Sequence, residues 1–130
     1  MSTTIPDTHL DLLETPGTAI ISTLTPDGLI QSTAVWFLYE DGQVKVSMND
    51  SRRKLRNVQE NPTATIFFID AQNPFRTLEV RGKVDIALDA DRSFAERVGA
   101  KYSADLSTFD EAGQQRYTLT FVPDPINSYG

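Results

Sequence analysis

The chain has no cysteine and a single histidine, His9. The first absence excludes disulfide staples, thiolate nucleophiles and cysteine-based metal centres. The second leaves a Ser-His-Asp triad or a His-rich zinc site almost nothing to draw on, so no metal site is expected. His9 itself falls in a short amphipathic segment and reads as a surface helix residue. No apolar run approaches the length of a membrane span, and the N-terminal stretch to Asp7 has neither a basic nor an apolar targeting segment; no membrane partner is expected, and the expected compartment is the cytoplasm. Positive charge is scarce too. Twelve Lys and Arg stand against 18 Asp and Glu, a net charge of −6 over 130 residues. An acidic chain lacks the broad phosphate-tracking surface of a nucleic-acid binder, so no nucleic-acid partner is expected. The length suits one compact domain spanning residues 1–130 and does not suit two.

One stretch breaks the acidic pattern. Arg52, Arg53, Lys54 and Arg56 crowd together, and without them the chain carries eight basic groups against 18 acidic ones. Upstream, Val44, Val46 and Met48 alternate with Gln43, Lys45 and Ser47, the period of a half-buried strand. Asp50 or Ser51 offers a helix cap, and Leu55 and Val58, three apart, give the helix that follows an inward face. A helix opening here presents unpaired N–H groups beside four cations, which suits a phosphate or carboxylate. Cations are poor neighbours for a bare helix N-terminus, so a bound anion would compensate them; the other reading is a basic helix face in solvent.

The remaining segments predict a mainly β chain with short helices. Asp7 caps a short helix through Leu13, ended by Pro16-Gly17, and a strand follows over 18–24. Thr25-Pro26-Asp27-Gly28 suits a type I turn, and one long strand is expected over 29–39. Within it Trp36, Phe37 and Leu38 are apolar on both faces, which calls for core on one side and a ligand, a second subunit or more core on the other. Further strands are expected over 43–48, 63–70, 76–87 and 115–122. Helices are expected from the basic stretch to Asn61-Pro62 and over 89–102, with a polar connection over 105–113. Six strands joined by short turns imply a small six-stranded antiparallel barrel.

The ordered set Thr18-Ala19-Ile20-Ile21-Ser22-Thr23-Leu24, Pro26-Asp27-Gly28, Val35-Trp36-Phe37, Ser51-Arg52-Arg53-Lys54-Leu55-Arg56-Asn57 and Asn61-Pro62 resembles the split β-barrel, FMN-binding-like superfamily of pyridoxamine-phosphate-oxidase-like flavoproteins. Within it the chain looks closest to the deazaflavin-dependent oxidoreductases that use coenzyme F420. The resemblance implies a homodimer with two cofactor sites at the subunit interface. It implies that Arg52 and Lys54 grip the cofactor phosphate, with Arg56 and Asn57 close behind, and that Ser47 and Met48 lie along the ribityl-like chain and ring. Thr33, Val35 and Trp36 fall on the strand beneath the tricyclic ring, although interface core is an equal reading of Trp36. Arg76 and Thr77 match positions that reach the ring from the partner subunit. True pyridoxamine phosphate oxidases carry C-terminal Arg and His contacts to their substrate. Here no His follows His9, so that substrate is not expected.

The function implied is hydride transfer from reduced F420 to a small unsaturated or quinone-like molecule. An FMN-dependent enzyme on the same barrel is the alternative, and a non-catalytic carrier of either cofactor is a third reading. No acid/base pair or nucleophile motif stands out, and no catalytic residue is assigned. Cofactor hydride chemistry needs mainly proximity and stacking, with a proton from solvent or a hydroxyl such as Ser47, Tyr39 or Tyr117.

Overall fold

The alternating segments become seven strands of one antiparallel sheet: β1 (Ala19–Leu24), β2 (Ile30–Val35), β3 (Leu38–Glu40), β4 (Gln43–Asn49), β5 (Thr63–Asp70), β6 (Asn73–Leu88) and β7 (Arg116–Tyr129). Three short helices accompany them: α1 (Asp11–Glu14), α2 (Arg53–Glu60) and α3 (Ser93–Tyr102). The computed structural model describes residues 5–130; Met1–Thr4, the start of the stretch scanned for a targeting segment, lie outside the described residues. Among the described residues no helix is long and apolar enough to cross a membrane.

The strand order, β2-β1-β5-β6-β7-β4-β3, puts β2 and β3 at opposite edges of the sheet. Only Trp36 and Phe37 separate them in sequence. Three Cα-to-Cα steps of about 3.8 Å span at most about 11 Å, so the sheet must curl until its edges nearly meet. This is a split β-barrel, mainly β and antiparallel, as the resemblance implies, with seven strands in place of the six expected. The expected single strand over 29–39 is corrected by the same fact. β2 pairs with β1 and β3 pairs with β4, so the chain must leave one ladder and join another between Val35 and Leu38.

Alternation fills the barrel. Ile21 of β1 stands opposite Ile66 of β5, and Ile66 opposite Val80 of β6; all three are buried. Val44, Val46 and Met48 of β4 and Leu119 and Phe121 of β7 complete the interior, with Leu55 and Val58 of α2 closing over it. The Glu40-to-Gln43 hairpin turns through Asp41 and Gly42, both at positive φ (55° and 72°), the backbone of a type I′ turn. A second, smaller cluster of Phe94, Ala95 and Val98 from α3 with Leu106 lies apart from the main core, and Trp36, Leu38 and Tyr102 pack against it.

Other expected bounds move for local reasons. Asp7–His9 is a single 3-10 turn and α1 starts only at Asp11. His9 is buried rather than on the surface: its Nε2 lies 3.1 Å from the Tyr129 carbonyl, so it joins the N-terminal segment to the last strand. α3 starts at Ser93 rather than Asp89, because the Asp89 carboxylate accepts the N–H groups of Phe94 (3.2 Å) and Ala95 (2.9 Å) and so caps the helix from outside it.

Phe37, buried at the seam, meets Phe68 of β5 edge-on with ring centroids 4.7 Å apart. Replacing it with Ala is expected to cost about 3–5 kcal/mol of stability in urea unfolding. A loss below about 1 kcal/mol would show that core packing does not hold the seam closed.

Candidate functional site

The basic stretch enters its helix without a side-chain cap. Asp50 and Ser51, the expected caps, are used elsewhere: the Asp50 carboxylate accepts Gln115 N–H at 3.2 Å, and the Ser51 hydroxyl donates to Asn49 Oδ1 at 2.6 Å. The capping position falls to Arg52, whose backbone is extended and whose side chain makes no capping hydrogen bond. The N–H groups of Arg53 and Lys54 therefore find no acceptor among the described residues. That leaves donors and partial positive charge facing outward at the start of α2.

Two adjoining cavities open beside this helix start. One, about 190 Å³, is lined by Ser47, Met48, Arg52 and Lys54 together with Val98 and Leu106. The other, about 310 Å³, extends to Thr18 at the approach to β1. Ala34, Val35, Trp36, Arg52 and Phe109 line both. The cavities thus lie at the seam, between the end of β2, the end of β4 and the second apolar cluster. Burial, and then the charge of Arg52, lower the pKa of the Lys54 ammonium. An anion placed between these two cations would offset both effects.

Ser47 is held from behind. Its hydroxyl accepts a long hydrogen bond of 3.4 Å from Arg116, which leaves the hydroxyl proton free to be donated. Arg116 is itself fixed by Asp110, through Nε to Oδ2 at 3.0 Å and Nη2 to Oδ1 at 2.8 Å. Arg92 and Asn49 also donate to the Asp110 carboxylate, at 2.6 and 2.9 Å. Desolvation works to raise the Asp110 pKa, but these hydrogen bonds, from Arg116 first, outweigh it and hold the carboxyl at about 2. Phe109, the residue before it, is thereby anchored at the cavity mouth.

Of the eleven residues placed by the resemblance, six come together here: Val35, Trp36, Ser47, Met48, Arg52 and Lys54. Thr33 sits on the same face of β2 as Val35, and its hydroxyl is shut off from solvent with no partner among the described residues. Arg56 is exposed and lines neither cavity. Asn57 turns inward, donating to Thr23 Oγ1 at 3.0 Å and Gln31 Oε1 at 2.8 Å, and so fastens α2 to β1 and β2. Arg76 and Thr77 follow the start of β6 at Asn73 and line neither cavity. The Arg76 guanidinium is held by Asp11, by Asp70 at 3.1 Å and by the Thr8 carbonyl. Of the hydroxyls considered as proton sources, Ser47 lines a cavity while Tyr39 and Tyr117 pack against the barrel core.

Sequence reasoning missed Phe109, Leu106, Val98 and Ala34. Phe109 and Leu106 fall in the segment read as a polar connection, which here forms a 3-10 turn, Leu106–Phe109. Two isolated apolar side chains in a polar run were the only signal. Among the described residues no group of three or more His, Asp or Glu side chains gathers as a metal site would require.

The sequence model of the pyridoxamine 5'-phosphate oxidase family matches residues 5–123. The chain belongs to this family. An F420 reductase is 31% identical and superposes with a TM-score of 0.84, the match covering 95% of this chain and 98% of that one. A conserved hypothetical protein, Rv2991 from Mycobacterium tuberculosis, has 17% identity and a TM-score of 0.77, covering 98% of this chain and 86% of its own. A putative pyridoxamine 5'-phosphate oxidase from Listeria innocua has 20% identity and a TM-score of 0.68, covering 94% and 95%. At these lower identities the likeness is one of fold alone. No curated protein sequence matches the chain. The family and the F420 reductase point to an oxidoreductase of this fold.

The Asp110 centre makes stability depend on acid. A carboxyl held near 2 in the folded chain, against about 4 when unfolded, contributes stability that is complete above about pH 5 and lost as pH falls from 4 towards 2. Asp110→Asn should lower the melting temperature at pH 7 and flatten its fall between pH 5 and 2. An unchanged acid limb would remove Asp110 as the titrating group.

Proposed function

We propose that this chain is an F420-dependent reductase that delivers a hydride to a small unsaturated or quinone-like molecule. The observation that carries the reading is the juxtaposition at the seam: two cations beside an uncapped helix start line the same cavity as the indole of Trp36. Such a site suits a molecule with a phosphate at one end and a flat ring further along. Sequence identity of 31% to an F420 reductase over nearly the full chain favours the deazaflavin. The match to the pyridoxamine 5'-phosphate oxidase family keeps FMN as a second reading, since it offers a phosphate and a similar ring to the same cradle.

The residues present fit such a group. Arg52 and Lys54 hold the phosphate together with the free N–H groups of Arg53 and Lys54. Val35, Met48, Val98 and Leu106 supply apolar wall that excludes water. Ser47, oriented by Arg116, has a proton to donate into the cavity. When bound, the cofactor supplies the hydride chemistry, which fits a sequence in which no nucleophile or acid/base motif stands out.

Phe109, which lines both cavities, is 55% exposed, so more wall is needed to close the site than one copy provides. A second copy is the proposed source, in keeping with the expected homodimer and with Arg76 and Thr77 reaching the ring from that copy. Beside Thr77, the row formed with Ile69 and Tyr129 is exposed, and Phe75 is 76% exposed, an apolar strip suited to burial between subunits. Light scattering is expected to give a dimer at micromolar concentration, and Phe75→Asp to shift it towards monomer. A monomer that still binds cofactor would refute the shared site.

The cofactor reading is tested by titrating the protein with F420 and with FMN. Arg52→Ala and Lys54→Ala should each weaken binding by roughly 1.5–3 kcal/mol while leaving the fold intact, and more so at low salt. Arg53→Ala, which removes a cation that lines neither cavity, should matter less. Phosphate grip lies far from the reacting carbon, so the loss should raise the cofactor KM and leave kcat nearly unchanged. Equal and small effects from all three substitutions would return the stretch to a solvated basic face.

A further inference from the structure

Phe37 closes the link between the sheet edges, and α3 takes both of its backbone polar groups. Its N–H donates to the Tyr102 hydroxyl at 3.2 Å, and its carbonyl accepts from Lys101 Nζ at 3.1 Å. The same two side chains reach beyond the link. Lys101 Nζ also donates to the Leu13 carbonyl of α1 at 3.1 Å, and the Tyr102 hydroxyl donates to the Gly17 carbonyl at 2.6 Å. Lys101 is half-buried, its ammonium lies 3.8 Å from the Phe37 ring centroid, and it meets no carboxylate among the described residues. Burial pulls its pKa down to about 8, a cost that no ion pair returns. What this lysine contributes is placement of the backbone it holds.

Tyr102 has a second contact. Its ring stacks on Trp36, with centroids 4.5 Å apart and planes 9° from parallel, and so covers one face of the indole. Phe109 meets Trp36 nearly edge-on, 6.1 Å away at 76°. Trp36 and Phe109 line both cavities, whereas Lys101 and Tyr102 line neither. A residue on a two-residue link has no strand ladder to orient it, so an indole there needs another support.

Building on the cofactor reading above, we propose that Lys101 and Tyr102 are positioning residues: they lock the link so that Trp36 presents its uncovered face to the ring of the bound cofactor while the start of α2 holds the phosphate. The two ends of the site are then set by different parts of the chain. Phosphate grip comes from α2, and ring placement from the last turn of α3. A ring-bearing ligand should depend on Lys101 and Tyr102, and a ring-free phosphate should not.

Trp36 is the only tryptophan in the chain, so its emission reports the link directly. Tyr102→Phe keeps the stacking ring and removes both hydroxyl bonds, Tyr102→Leu removes the ring as well, and Lys101→Met removes the donor while keeping the chain length. Emission and acrylamide quenching are measured on the intact variants, with thermal unfolding to show that each is folded. Calorimetric titrations use F420, FMN and ribose 5-phosphate, which has a phosphate but no ring. Lys101→Met and Tyr102→Leu are expected to shift Trp36 emission to the red, raise its quenching and weaken F420 or FMN binding about three- to tenfold, with ribose 5-phosphate affinity within about twofold of the parent. Tyr102→Phe should fall between parent and Tyr102→Leu, and being conservative it keeps the test open if the larger changes unfold the protein. Unchanged Trp36 emission in folded variants would overturn the proposal, as would equal losses for ring-bearing and ring-free ligands. A parent protein that binds neither F420 nor FMN would instead overturn the cofactor reading, with the emission data still deciding whether α3 orients Trp36.

Discussion

A two-residue connection between the two edges of one sheet is the constraint on which the rest of this structure depends. β2 and β3 lie six positions apart in the strand order, yet Trp36 and Phe37 are all that separates them in the chain. An open sheet of seven strands about 4.8 Å apart would put its edges roughly 29 Å from each other, more than twice what the link can span. The sheet has to roll, and its interior is then filled by the side chains that alternation turns inward. Because the link is too short to form a ladder of its own, its backbone groups must be met from outside the sheet. α3 meets them through Lys101 and Tyr102.

The seam is also where the functional surfaces converge. Rolling brings the end of β2, with Val35 and Trp36, towards the end of β4, with Ser47 and Met48, and α2 starts immediately beyond β4. The charges there are arranged without local neutralisation. Arg52 and Lys54 have no carboxylate partner among the described residues, while carboxylates elsewhere hold the other cations: Glu40 holds Arg97 and Lys45, Asp110 holds Arg92 and Arg116, and Asp11 and Asp70 hold Arg76. Free cations and free helix N–H groups in one place make a site that favours an anion. The Asp110 centre stiffens another part of the lining, since it fixes both Ser47 and the segment bearing Phe109.

Much of this was legible in the residues. The strands expected over 18–24, 43–48 and 63–70 reappear nearly unchanged, each alternating between buried and less buried positions. The basic run was legible as a cationic helix start because its composition contradicts that of the whole chain. The route to it was only half right, however, since Asn49 and Gln115 take up Ser51 and Asp50 and the helix starts uncapped. Asn57 looked like part of the same run and is not. A helix rotates its residues by about 100° each, and this one falls on the inward side with Leu55 and Val58, where its amide finds Thr23 and Gln31. His9 misled for a similar reason: its burial depends on the last strand passing beside it, 120 residues along the chain.

The sequence by itself determined the antiparallel β character, the single domain-sized length, the lack of thiol chemistry and the cationic helix start, because each of these depends on composition or on neighbours within a few residues. Tertiary structure alone decided that the stretch 29–39 is two strands, that these are the two edges of one sheet, and that Phe109 and Tyr102 stand beside Trp36 although they lie 73 and 66 residues further along the chain. The physical reason is the same in each case. Periodicity reports which face of an element is buried, but it carries no information on which other element buries it. That choice is made when the whole sheet closes and every remaining polar group and ring must find a partner across the seam.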